Sequence, residues 1–95
     1  MRSGEPKGSK PRFTRLQGQY LAFIEAFTTV HGVAPAEADM QRFFPVTPPA
    51  VHRMLLALEQ RGLLRRAPGQ ARSISVLLPS GEIPKLKPVE TNRTF

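Results

Sequence analysis

The sequence predicts a small α+β domain, mainly α, built from three helices followed by a β-hairpin. Two stretches place apolar residues at helical spacing between start and stop signals, around residues 14–32 and 47–62. A shorter helical stretch lies between them, and a turn flanked by two short strand patterns follows the last helix. The chain has 95 residues, which is enough for one small core.

The best-marked element is the helix predicted at 48–61. Thr47 is a favourable N-cap, Pro48 suits the first turn, and Gly62 stands where a left-handed residue ends a helix. Residues spaced i, i+3, i+4 and i+7 form one stripe that we predict to be buried: Val51, Met54, Leu55 and Leu58. The outer face carries no carboxylate near its N-terminus and comprises Thr47, Pro49, Ala50, His52, Arg53, Leu56, Ala57 and Gln60. Such a face is able to lie against nucleic acid, and it is equally typical of an ordinary solvated helix.

A capping box begins the first helix. Thr14 is followed three residues later by Gln17, and Phe13 can pack back as a hydrophobic staple. The helix is expected to run to Gly32. Its apolar residues share one face that we predict to be core: Leu16, Tyr20, Phe23, Ile24 and Phe27.

The second helix is expected at about residues 36–44, because Pro45 cannot continue a helix. Its inward residues are expected to be Ala36 or Ala38, Met40, and Phe43 or Phe44. Residues 44–47 then form the turn between the second and third helices, with Val46 as its buried plug.

Residues 63–67 and 73–78 are predicted to pair as a hairpin through turn residues 68–70. Alternation along the returning strand points Ile74, Val76 and Leu78 inward. The hairpin also offers four long polar side chains that suit phosphate or minor-groove contacts: Arg65, Arg66, Gln70 and Arg72. A solvated basic hairpin is the alternative interpretation.

Composition predicts a domain at 13–78 with a tail on each side. Residues 1–12 carry four basic side chains and one apolar residue, which predicts a disordered basic arm. Residues 79–95 contain three prolines, so we expect an extended or disordered tail. Its apolar residues Ile83, Leu86 and Val89 can pack on the domain or on a second subunit.

The formal net charge of +7 favours a polyanionic partner, most often DNA or RNA. The chain has no cysteine, and His31 and His52 lack carboxylate neighbours in the sequence, so neither a metal nor a cofactor is expected. No apolar run approaches the roughly 18–20 residues that cross a bilayer, and the N-terminus lacks a signal-peptide core. We therefore expect a cytoplasmic protein without a membrane partner. No catalytic arrangement follows from residue spacing, since Glu37 and Asp39 point in different directions around a helix, and we expect no enzyme.

The stretch 51–66 resembles the recognition helix and following strand of the LexA repressor family, which related small winged-helix regulators share. The resemblance extends upstream through Phe13–Gln17 with Phe23 and Ile24, through Gly32–Pro35, and through Ala38–Met40 with Phe44, and covers roughly residues 13–78. It implies a winged helix-turn-helix with a sheet of two or three strands, in which the hairpin is the wing and residues 32–35 are a short extended piece that can pair as the first strand. This chain departs from the family in the turn, which is one residue shorter and has Pro45 where members typically have glycine.

The resemblance implies a transcriptional regulator that binds double-stranded DNA and is associated with the nucleoid. Helix 48–61 is expected in the major groove and the 65–72 wing on the backbone or in the minor groove. A homodimer is one expected arrangement. Positions that contact bases in the family correspond here to Thr47, Pro49, Ala50, His52 and Arg53. Our candidates for backbone and wing contacts are Arg15, Arg42, Arg65, Arg66, Gln70 and Arg72. Pro49 offers no side-chain hydrogen bond, and His52 and Arg53 are donors where the family's repressor has carboxylates. The operator is therefore expected to differ, with Arg53 as the main reader of a guanine.

Two other interpretations remain open. A winged-helix module that binds protein through Leu56 and the apolar tail residues is the first. The second is a truncated self-cleaving repressor, because in the family a linker at this place leads to a serine–lysine protease domain. The sequence starts with Met1 and has no obvious tag, so we expect a complete small gene product. Because it stops at Phe95, the autoproteolytic activity is not expected to carry over.

Overall fold

The computed structural model describes residues 12–88, and the predicted basic arm up to residue 11 and Val89 lie outside that range. Within it, three helices precede a small sheet: α1 (Arg15–His31), α2 (Glu37–Phe43) and α3 (Pro48–Gln60) are followed by β1 (Leu64–Arg65) and β2 (Ser75–Val76). The strands are antiparallel, with Leu64 opposite Val76 and Arg65 opposite Ser75. A single 3-10 turn, Ser80–Glu82, comes after the sheet. The predicted mainly helical α+β architecture is confirmed.

Helix α1 begins and ends as its sequence predicts. The Thr14 hydroxyl accepts from the Gln17 N–H at 3.1 Å, and the Gln17 side chain accepts from the Thr14 N–H at 2.9 Å, which completes the capping box. Gly32 ends the helix in the left-handed region at φ 77°, a conformation that glycine adopts without a steric penalty.

The buried face of α1 differs from the prediction at one end. Tyr20, Phe23 and Ile24 are buried as predicted and Phe27 is half-buried, but Leu16 is 49% exposed. Buried residues at i, i+3, i+4 and i+7 start at Gln17 and form the stripe Gln17, Tyr20, Leu21 and Ile24. Leu16 precedes this stripe by one residue, about 100° around the helix, and therefore faces solvent.

Helix α2 contributes Met40 and, just beyond its end, Phe44 to the core. The ring of Phe44 stacks on Tyr20 with centroids 4.1 Å apart and planes within 2°. Phe43 is half-buried against Phe23, at a centroid distance of 4.6 Å. Val46 is half-buried against the core, so the predicted buried plug is confirmed in part; the Tyr20–Phe44 stack fills the core where the chain leaves α2. Ala36 is half-buried and Ala38 is exposed, which settles the open alternative in favour of Ala36.

Helix α3 has the predicted phase. Val51, Leu55 and Leu58 are fully buried, whereas His52, Arg53 and Leu56 are exposed. Met54 is half-buried rather than buried because it lies at the edge of the stripe. Gly62 adopts φ 75°, and the Leu63 N–H reaches back to the Leu58 carbonyl at 3.0 Å, which closes the helix as predicted.

The sheet is shorter than predicted, with two residues per strand instead of five and six. Arg72 lies in the left-handed region at φ 56°, and the Ser73 hydroxyl accepts from the Ala67 N–H at 3.0 Å, so side-chain bonds replace ladder bonds near the turn. Ile74 and Leu78 are buried and Val76 is half-buried, which agrees with the predicted inward face. Among residues 12–88 the sheet has two strands, which is one of the two alternatives expected, and residues 32–35 do not pair as a third strand. The Ala34 carbonyl instead accepts from the Arg72 guanidinium at 3.2 Å.

Residues 79–88 lie against α1. The Gln19 side chain donates to the Lys85 carbonyl at 2.9 Å and accepts from the Lys87 N–H at 2.8 Å. Pro84 packs so close to Gly18 that a Cβ there would meet the proline ring at 2.9 Å. Ile83 and Leu86 are half-buried against the core. Packing on the domain, one of the two arrangements expected for these apolar residues, is the one observed.

Candidate nucleic-acid interface

The exposed face of α3 begins at the turn that follows α2. Thr47 caps the helix through its hydroxyl, which accepts from the Ala50 N–H at 3.4 Å, and Pro49 beside it is exposed. His52 and Arg53 extend outward one turn further along. Thus four of the five predicted base-contacting residues are exposed on one helix end, and the fifth, Ala50, is half-buried.

Arg53 is available to a ligand. Within residues 12–88 its guanidinium forms no ion pair, and the two acids considered as its partners are engaged elsewhere. Glu59 pairs with Arg66 at 3.0 Å, and Asp39 pairs with Arg42 at 2.7 Å and with Arg72 at 3.2 Å. The positive charge of Arg53 is therefore uncompensated by a direct neighbour in the described chain.

His52 has an acidic neighbour that the sequence did not reveal. Its Nδ1 lies 3.6 Å from Oε2 of Glu37, the first residue of α2, and its side chain is 54% exposed. This distance allows charge attraction when the imidazole is protonated but exceeds a hydrogen bond. One ring edge therefore faces Glu37 on α2, and about half of the side chain remains exposed to solvent.

The wing arginines differ from one another. Arg65 is exposed on β1, and Gln70 is exposed at the tip. Arg66 turns back under the wing: its Nη1 lies 3.1 Å from Glu37, and its Nη2 and Nε lie 3.0 Å and 3.2 Å from Oε1 of Glu59. Its side chain is only 20% exposed, so this arginine ties the wing to α2 and α3.

Arg72 is also tied to the domain. Its guanidinium donates to the Asp39 carboxylate and to the Ala34 carbonyl, each at 3.2 Å, and its side chain is 45% exposed. The same carboxylate accepts from the Ala36 N–H at 2.8 Å at the start of α2. That backbone hydrogen bond, aided by the charges of Arg72 and Arg42 against the opposing effect of burial, lowers the pKa of Asp39.

The remaining predicted backbone contacts, Arg15 and Arg42, are exposed on the first turn of α1 and the last turn of α2. Sequence reasoning missed the roles of Glu37 and Glu59, which lie 29 and 7 residues from Arg66 along the chain. No local spacing signals such pairs. Within residues 12–88 no cluster of three or more His, Asp or Glu side chains is placed to hold a metal ion, and none of the helices has the length and apolarity to cross a membrane.

Comparison with known proteins relates the chain to one family. The family model described as LexA DNA binding domain matches residues 10–73. A LexA repressor from Novosphingobium aromaticivorans is 36% identical over 78 residues, which cover 80% of this chain and 33% of that repressor. The chain thus spans about a third of the length of this relative.

Proposed function

Because the chain belongs to the LexA DNA-binding domain family, we propose that it is a sequence-specific double-stranded DNA-binding protein that regulates transcription. Helix α3 enters the major groove, and the wing rests on the backbone or in the adjacent minor groove. The protein then acts on DNA in the cytoplasm, and a palindromic site would be read by a homodimer.

The observation that carries this proposal is the exposed, carboxylate-free start of α3 and, on it, Arg53, which has no ion-pair partner within residues 12–88. Pro49 and Ala50 are compact, so the backbone of α3 can approach base edges closely. The planar guanidinium of Arg53 matches the O6 and N7 acceptors of guanine, with His52 beside it as a second donor. Thr47, Pro49 and Ala50 supply apolar and shape contacts.

Backbone contacts come from long basic or polar side chains that remain exposed. We assign them to Arg65 and Gln70 on the wing, to Arg42 at the end of α2, and to Arg15 on α1. Arg72, which is less buried than Arg66, retains exposed surface for a phosphate. Ile83 and Leu86 are packed on the domain, which removes part of the support for a protein-binding module.

The test is a salt titration of binding to mixed-sequence duplex DNA, followed by selection of preferred duplexes from a random pool. Log affinity should fall linearly with log salt, by about 0.9 per phosphate contact, and a palindromic consensus would indicate a dimer. Arg53→Gln should abolish the preference, whereas the matched variant Arg61→Gln removes the same charge from the far end of α3 and should retain it. Affinity that does not respond to salt, or selection without a consensus, would contradict the proposal.

A further inference from the structure

Four charged or titratable side chains form a continuous network that connects the end of α3, the base of the wing, α2 and the exposed face of α3. Glu59 near the end of α3 holds the Nη2 and Nε groups of Arg66, and Arg66 holds Glu37 through Nη1 at 3.1 Å. Glu37 in turn faces Nδ1 of His52 at 3.6 Å. This network of side chains starts and ends on α3, at Glu59 and His52, and passes through Arg66 at the base of the wing and Glu37 on α2.

This arrangement restricts Glu37 in a way that an exposed glutamate is not normally restricted. Its carboxylate is 37% exposed and is shared between two cationic groups on different elements. Arg66 is held by Glu59 with two N–H groups, so the position of Glu37 is fixed from the wing side. The carboxylate then attracts the Nδ1 edge of His52 when that nitrogen carries a proton.

We propose that Glu37 is a positioning residue for sequence reading, which orients His52 so that its Nε2 edge faces the major groove. The inference rests on the proposed function, because it assigns His52 a contact with DNA. A histidine has two chemically distinct ring nitrogens, and the partner of one decides which way the other points. Arg66 and Glu59 act behind Glu37 by holding it in place.

Neutralising Glu37 should change the affinity for the preferred duplex in the direction opposite to that expected from charge repulsion alone. A carboxylate near DNA repels phosphates, so its neutralisation should strengthen binding to every duplex alike. Loss of a positioning group instead weakens the preferred sequence relative to random DNA. The ratio of the two affinities therefore separates the effects, and an inactive fraction of protein lowers both affinities equally and leaves the ratio unchanged.

The experiment measures the affinities of wild type, Glu37→Gln and Glu25→Gln for the preferred duplex selected from a random pool and for a random duplex. Glu25 is the matched control, since it is a carboxylate on α1 whose partner is the Ser80 hydroxyl. Glu37→Gln should lower the affinity ratio about fivefold, a coupling typical of groups in one network, while Glu25→Gln leaves it unchanged. In a His52→Ala background, Glu37→Gln should lower the ratio no further.

An unchanged ratio in Glu37→Gln, or an equal fall in the His52→Ala background, would overturn the inference. Both results leave the proposed function standing, because wild type still binds a preferred duplex. Absence of salt-dependent duplex binding by wild type would overturn the proposed function and this inference together. Thermal unfolding of each variant checks the fold, and a ratio that falls in Glu37→Gln without a change in Tm excludes a general loss of structure.

Discussion

The exposed face of α3 and the wing are both basic, but their arginines are held differently. On α3, Arg53 has no ion-pair partner within residues 12–88, whereas on the wing Arg66 and Arg72 each contact a carboxylate at 3.1–3.2 Å. Three acids on α2 and α3 pair with the wing arginines, whereas within residues 12–88 none pairs with Arg53, and only Glu37 comes near the reading face, 3.6 Å from Nδ1 of His52. A count of basic residues therefore overstates the positive charge that the wing offers to DNA. It also misses that the paired wing arginines hold the wing against α2 and α3.

Free and paired arginines also contribute differently to DNA binding. A free arginine on a helix contributes to binding directly, and its loss is seen on the sequence that it reads. A paired arginine at the base of a wing positions neighbouring groups, and its loss is seen in their arrangement. The two regions should therefore respond differently to equivalent substitutions.

Leu55 anchors α3 in the core and so fixes the position of its exposed face. This side chain is fully buried beneath the open face, so Leu55→Ala should destabilise the domain by about 2 to 5 kcal/mol. Leu56→Ala, on the exposed face one residue along, should change the free energy of unfolding by less than about 1 kcal/mol. Thermal or denaturant unfolding measures both. Equal losses would show that the two faces of α3 are not distinct.

The charge of Arg53 can be kept while its shape is changed. Arg53→Lys should cost about 1 to 3 kcal/mol on the preferred duplex and little on random DNA, because lysine lacks the planar fork that fits guanine. Binding isotherms on the two duplexes provide the measurement. If the preferred duplex is bound as tightly as before, Arg53 acts as a phosphate clamp, and the contrast with the wing is lost.

Neighbouring arginines on the wing provide the sharpest contrast. Arg65→Gln should lower the slope of log affinity against log salt by about one unit and weaken preferred and random duplexes equally, because Arg65 is exposed and without a protein partner in the described chain. Arg66→Gln removes the same charge, yet it should leave the slope unchanged, because Arg66 is engaged by Glu37 and Glu59. Slopes that fall equally would show that Arg66 leaves its carboxylates for a phosphate when DNA binds.

Local signals made the helices predictable. The third helix was expected at 48–61 and is found at Pro48–Gln60, because an N-cap, a first-turn proline and a terminating glycine act within a few residues of one another. Its burial phase also follows from spacing alone. Leu16 and Met54 are less buried than their spacing predicts, because Leu16 lies on the first turn of α1 about 100° from the buried stripe, and Met54 lies at the edge of the α3 stripe.

The wing was less predictable because distant groups determine it. Alternation predicted strands of five and six residues, but Ser73 and the left-handed Arg72 limit the ladder to two residue pairs. The bond from Arg72 to the Ala34 carbonyl spans 38 residues. The composition gives the net positive charge, but pairing in three dimensions decides which arginines remain free.

The smallest expected effect concerns Asp39, which ties Arg72 of the wing to α2. Its pKa is lowered in the folded protein, so its ionised form stabilises the fold above the ordinary Asp pKa of about 3.9, and this stabilisation is lost as pH falls through the folded value. Asp39→Asn should therefore cost about 0.5 to 1 kcal/mol near pH 7, as is typical for loss of a capping or exposed ionic interaction, and progressively less below about pH 5. Glu25→Gln is the control, and denaturant unfolding at pH 7, 5 and 3.5 measures the difference from wild type. A deficit in Asp39→Asn that stays constant across these pH values would show that the carboxylate's shape, and not its charge, secures the wing.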